Sequence, residues 1–190
     1  MLEKIYRWTM EKAGHRHAVW WLSAISFNES SVFPIPPDVL LIPMVLAAPS
    51  RWFYLAMMCT LSSVAGGYLG YAIGYYAMEA VGYPILAAFH LVEKFHAFKP
   101  LVDEYGVWVI IVKGATPIPY KLITIAAGAF DFDLLQFSFA SFIARGMRFF
   151  LVAALLYKFG PPIQRFVEKR LKLVMLAAVI LVVAGFAVLR

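Results

Sequence analysis

The sequence predicts an all-α polytopic membrane protein built as an inverted repeat, in which a re-entrant hairpin followed by a transmembrane helix occurs twice and an additional C-terminal transmembrane helix closes the chain. Three observations carry this. Of 190 residues, 63% are hydrophobic and 15% charged, more apolar surface than one soluble core of this size can bury. Three apolar stretches are long enough to cross a hydrocarbon layer, which takes roughly 20 helical residues. Two others are equally apolar but are broken midway by prolines.

Residues 1–18 mix Glu3, Lys4, Arg7, Glu11, Lys12 and Arg16 with Leu2, Ile5, Tyr6 and Trp8. This pattern is expected of an amphipathic helix lying in the membrane interface. It lacks an apolar run followed by a small-residue cleavage site, so it is expected to be retained. A membrane domain over 19–160 follows. Its first hairpin, 19–48, is interrupted at Phe33-Pro34-Ile35-Pro36-Pro37-Asp38, and its second, 107–130, at Thr116-Pro117-Ile118-Pro119-Tyr120-Lys121. Each Pro-x-Pro removes two backbone donors and forbids helical geometry just before each ring, so neither stretch can be one helix. Their arms, about 15 to 22 Å of helix, can reach the bilayer middle and return. Uninterrupted spans are expected over 52–78, 134–157 and, outside the membrane domain, 171–189.

Pro117-Ile118-Pro119 lies 83 residues after Pro34-Ile35-Pro36, and Lys121 lies 83 after Asp38. Because a re-entrant hairpin crosses no net distance, the span between the two units inverts the second relative to the first, which is the layout of many secondary transporters. The alternative is a chance tripeptide match. Loop charge bears on the choice. With the N-terminus in the cytosol, Lys4, Arg7, Lys12, Arg16, Arg51, Lys158, Arg165, Lys169, Arg170 and Lys172 fall inside, while only Lys94, Lys99 and Arg190 fall outside, as the positive-inside rule requires. The C-terminus is then outside, and the expected location is a bacterial inner membrane.

Six ionisable residues remain at membrane depth: Glu29, Asp38, Lys113, Lys121, Arg145 and Arg148. Each would cost on the order of 3 kcal/mol at the centre of an isolated helix, so they should face one another or a hydrated cavity. Two acids against four cations leave an excess of positive charge suited to an anionic group such as a phosphate. The competing reading is that they are ion pairs that hold the bundle together. A carboxylate in a partly apolar cavity can exchange a proton near neutral pH, which would make Glu29 and Asp38 proton-handling groups; a permanent pair with Lys or Arg opposes this. Gly66, Gly70 and Gly74, at four-residue spacing with Ser62 one turn earlier, are expected to pack against another helix. A segment over Leu91–Gly106 alternates charged and apolar residues as a surface amphipathic helix does.

The formal charge of +6 is spread in short groups between apolar runs, so no nucleic-acid partner is expected. Cys59 is the only cysteine, and the histidines fall outside the broken segments, so no metal and no cofactor are expected.

Glu29 before Phe33-Pro34-Ile35-Pro36-Pro37-Asp38, the glycine-rich run Gly66-Gly67-Tyr68-Leu69-Gly70-Tyr71, and a basic-Pro-basic segment leading into Ala126-Ala127-Gly128 together resemble the DedA proteins, whose shared region is the VTT domain, and within them the short YqaA-type branch. The resemblance implies two re-entrant hairpins in inverted repeat and translocation of lipids or lipid phosphates, polyprenyl phosphate among them. It implies functional roles for Glu29, Asp38, Lys113 and Lys121. Typical members carry an arginine on each side of the second hairpin's proline, where this chain has lysines at a wider spacing. The expected function is therefore a proton-linked transporter or lipid translocase, with membrane lipids and protons as partners and a homo-oligomer allowed. The alternatives are a lipid-organising scaffold that moves nothing and, weakest, an intramembrane lipid phosphatase, for which neither broken segment supplies a histidine nucleophile.

Overall fold

Prolines and glycines decide where this chain is helical and where its helices touch. The computed structural model describes residues 17–31, 36–115 and 120–169, which are helical apart from short turns, with no strand among them. The interfacial helix expected over 1–18 (all but its last two residues), the span expected over 171–189, Pro34, Pro117, Pro119 and the Lys113 side chain lie outside what it describes.

Helix α1, Ala18–Glu29, buries Val19, Leu22 and Ser26 on one face and leaves Trp20 and Trp21 exposed. It stops before the first proline cluster. Helix α2, Asp38–Ala47, starts directly after Pro37, with Asp38 in its first turn, where a carboxylate meets the positive end of the helix dipole. After a short 3₁₀ turn, α3 runs Trp52–Tyr76. It ends two residues earlier than the span expected from hydropathy, because the backbone leaves helical geometry at Ala77 (φ −135°) and re-forms as a π-helical turn, Met78–Gly82. The six-residue α4, Tyr83–Ala88, follows.

The expected amphipathic segment is α5, Val92–Tyr105. Its buried Phe95, Phe98 and Val102 recur at helical spacing and pack on the second hairpin. That hairpin consists of α6, Val107–Ala115, and α7, Tyr120–Ala129. Every residue of α7 from Tyr120 to Gly128 is buried, as in a helix surrounded by neighbours on all sides. The last helix, α8, runs Leu134–Lys169, well beyond the expected end at Tyr157.

Two stretches, Pro49–Tyr76 and Leu134–Gly160, are long and apolar enough to cross a membrane. They cross-pack with the hairpin arms in a regular way. Helix α1 packs on α3 and α6 on α8, each on the long helix that follows its broken segment, while α7 packs on α3 and α2 on α8, each on the other long helix. The glycines of α3 allow this closeness. A Cβ on Gly66 would collide with the Phe27 carbonyl of α1, one on Gly74 with the Ile125 carbonyl of α7, and one on Gly128 with the Tyr71 carbonyl in return. Backbones can come this near only where both the side chain and its entropy are absent.

Apolar packing falls into two clusters. One gathers Leu22, Leu41, Leu55, Phe149 and Ala153; the other gathers Leu86, Phe95, Ile123, Phe137 and Ala140. Between them, near the middle of both long helices, lie Ser63 of α3 and Ser141 and Arg145 of α8, all buried. The site lies in this polar layer.

Candidate functional site: a charged layer at mid-depth

Each broken segment delivers its charges to the layer because its helices start or stop there. Glu29 is the last residue of α1 and Asp38 the first of α2. Lys121 is the second residue of α7. Arg145 and Arg148 lie three apart on α8, so they share one side of that helix.

The carboxylates of the first hairpin are taken up by the two arginines. Glu29 Oε2 accepts from Arg145 Nη2 at 2.5 Å, and Asp38 Oδ2 accepts from Arg148 Nη2 at 2.5 Å. The pairs differ in environment. Arg145 is 1% exposed, whereas Arg148 is 35% exposed. Arg145 is also held between aromatic rings, its guanidinium carbon 4.7 Å from the centroids of both Tyr120 and Phe149, an arrangement that stabilises a desolvated cation.

Hydroxyl groups extend the inner pair into a network. Arg145 Nε donates to Ser63 Oγ at 2.6 Å, and Ser63 Oγ lies 2.7 Å from Ser30 Oγ. Thr124 Oγ1 of α7 donates to the Ser30 carbonyl at 3.1 Å. Ser26 Oγ donates to the Cys59 carbonyl at 2.7 Å. Four helices, α1, α3, α7 and α8, are thus tied through polar contacts in a layer where Ser26, Ser30, Ser63, Thr124 and Arg145 are buried and an unmade bond is costly.

Lys121 differs from the arginines. It is 4% exposed, its Nζ has no hydrogen-bond partner, and the carboxylates at mid-depth are engaged elsewhere. Its ammonium instead lies 2.8 Å from the centroid of the Phe89 ring, at the end of α4. The Tyr120 and Ser141 hydroxyls are also buried here.

Sequence reasoning singled out all the charged members but gave the four cations one common role. The structure separates three of them: Arg145 and Arg148 are occupied by the protein's own carboxylates, whereas the Lys121 ammonium makes no hydrogen bond. Asp38 and Lys121, at matching positions in the two hairpins, are not an ion pair. Ser62, noted for its place before the glycines, donates to the Met58 carbonyl of its own helix at 2.7 Å; its neighbour Ser63 faces the site. Ser26, Ser30, Ser63, Thr124, Tyr120 and Phe89 were missed. A buried hydroxyl in an apolar run looks like any other small residue until helix rotation is known.

With the geometry established, comparison with known proteins is informative. Residues 35–158 match the family described as the VTT domain. An uncharacterized protein of Haemophilus influenzae is 37% identical over 193 residues, covering 98% of this chain and 96% of its own. An uncharacterized protein of Histophilus somni is 34% identical, with 98% and 97% covered. An uncharacterized protein of Methanocaldococcus jannaschii is 23% identical over 124 residues, covering 65% of this chain and 74% of its own. No solved structure matches the chain. The chain belongs to the VTT domain (DedA) family of membrane proteins.

Proposed function

We propose that this protein is a lipid translocase of the bacterial inner membrane that carries the anionic head group of a polyprenyl phosphate or phospholipid through the mid-depth polar layer, with Lys113 and Lys121 of the second hairpin as the anion-binding groups. One observation carries the reading: Lys121 is buried and its ammonium makes no hydrogen bond. An isolated ammonium is disfavoured in a low-dielectric interior, so a phosphate oxygen that reaches it gains a charge-assisted bond for which the empty protein offers no substitute.

The packing exchange between units, each second hairpin arm lying on the other unit's span, supports an inverted repeat of re-entrant hairpins. That repeat also gives a reason for the imbalance. The offset of 83 residues that relates the hairpins sets Ser62 and Ala65 of α3 against Arg145 and Arg148 of α8. The first hairpin therefore finds ionic partners on the opposite span, whereas the matching positions of α3 offer Lys121 none. In this reading Glu29 and Asp38 are gating and proton-handling carboxylates. They hold the first hairpin to α8 in one state and exchange a proton when the arginines turn to substrate. The protein is a carrier with protons and membrane lipids as its partners, rather than an enzyme, and its N-terminus lies in the cytosol.

The pairing of both carboxylates also favours a second reading, a lipid-organising scaffold in which the charges only tie helices together. Reconstitution separates the two. Proteoliposomes should move a labelled polyprenyl phosphate between leaflets, faster with a pH gradient, while the corresponding alcohol stays at the protein-free rate. Lys121→Gln should lower the rate at least tenfold without loss of inserted, folded protein. Equal rates with and without protein would leave the scaffold as the function.

A further inference from the structure

Phe89 does more than fill space beside Lys121. The ammonium lies 2.8 Å from its ring centroid, and the lysine is 4% exposed. The electron-rich face of the ring partly compensates the charge, but a π face cannot accept hydrogen bonds as a phosphate oxygen does. The ring therefore covers the group that an anion would have to reach.

Phe89 also stands on an irregular element. Between α3 and α5 the backbone leaves helical geometry at Ala77, makes the π-helical turn Met78–Gly82, and forms only the six residues of α4. Phe89 follows, and His90 takes a φ of 53°, in the left-handed region that costs a residue with a Cβ. Irregular helix turns and backbone strain gather where a segment has to move. Arg145 and Arg148 also lie against aromatic rings, but their charges are met by carboxylates, which leaves the ring as the close partner of the Lys121 ammonium alone among these three.

We infer that Phe89 is a gate over Lys121: its ring holds the ammonium while the site is empty and is displaced when a phosphate oxygen binds. The inference rests on the anion-binding reading of Lys121 given above. Closure by Phe89 competes with the ligand, so the apparent affinity is the intrinsic affinity reduced by the fraction of open molecules. Phe89→Leu keeps most of the apolar bulk and removes the π face, which shifts the population toward open.

The test has two arms, both on the full chain in nanodiscs of a zwitterionic lipid. In the first, a short-chain phosphatidic acid, the uncharged diacylglycerol of the same chain length, and inorganic phosphate are titrated in turn. For phosphatidic acid, Phe89→Leu should lower the apparent Kd on the order of tenfold; Lys121→Gln should weaken binding; and Phe89→Leu should give no gain in the Lys121→Gln background. The diacylglycerol should respond to none of these changes. The same gain with inorganic phosphate would assign the site to a free anion and overturn the lipid source. In the second arm Lys121 itself is modified with an anionic amine-reactive reagent and followed by peptide mass spectrometry, and Phe89→Leu should speed its labelling on the order of tenfold. Unchanged labelling overturns the gate, and so does unchanged or weakened phosphatidic acid binding by Phe89→Leu. If labelling speeds up but Lys121→Gln leaves phosphatidic acid binding intact, the anion-binding reading is what fails.

Discussion

At the scale of single residues, what distinguishes this site is how unequally its charges are compensated. Arg145 is buried and joined to Ser63 while its partner Glu29 is half-buried, so removing the carboxylate strands the guanidinium in a low-dielectric layer. Glu29→Gln or Arg145→Gln should each cost about 3 to 5 kcal/mol, read as a fall in the melting temperature of detergent-solubilised protein, and the double substitution should cost less than the two singles added. Full additivity would show that the pair does not act as a unit. For Asp38 and Arg148, which are more exposed, the single losses should be smaller. The charge exchange Asp38→Arg with Arg148→Asp should regain stability, whereas Asp38→Lys with Lys121→Asp should not, because those two residues do not meet. Recovery by the second exchange would contradict the pairing. The identities of these six charged residues were legible in the sequence because each is expensive at membrane depth. Their partners were not, since a charge can reach any of several helices until the rotation of each is known.

At the scale of elements, the hairpins are placed by glycine contacts on α3 as much as by their own prolines. Gly66→Ala sets a methyl group against the Phe27 carbonyl and Gly74→Ala sets one against the Ile125 carbonyl. Neither obstacle is the flexible end of a side chain. Each substitution should destabilise by about 1 to 3 kcal/mol. Gly146→Ala on α8 is the control: its Cβ would meet nothing closer than Thr60 Cγ2 at 3.8 Å, and its melting temperature should stay the same or rise, since alanine is the better helix former. A loss at Gly146 equal to that at Gly66 would show that glycine content, not close approach, sets stability. The four-residue spacing announced a packing stripe. Which helices used it, α1 at Gly66 and α7 at Gly74, followed only from the fold. The long helices also ended differently from their apolar runs: α3 stops at Tyr76, where the π-helical turn begins, and α8 continues to Lys169. Hydropathy measures how well a residue suits lipid and carries no information on whether the backbone keeps its hydrogen-bond register.

At the scale of the whole molecule, the proposed inverted repeat requires both proline-broken segments to turn back within the membrane. Single cysteines at Ser50 and Lys158, in a Cys59→Ala background, should be labelled only from the cytosol, and one at Asp131 only from outside. External labelling at Ser50 would mean that the first hairpin spans, and the inverted repeat would fall with it. Composition and the proline breaks are local or summed properties, and they were enough to point to an all-helical membrane protein and to charged residues worth attention, while the resemblance of its ordered motifs pointed to the family. Three things were settled only by tertiary packing: the exchange of hairpin arms between the two spans, the consumption of both arginines by the first hairpin's carboxylates, and the lone position of Lys121 under Phe89. Lys121 and Phe89 lie 32 positions apart on helices whose relative rotation no periodicity encodes, and the two residues meet because glycines on α3 let α7 sink into the bundle.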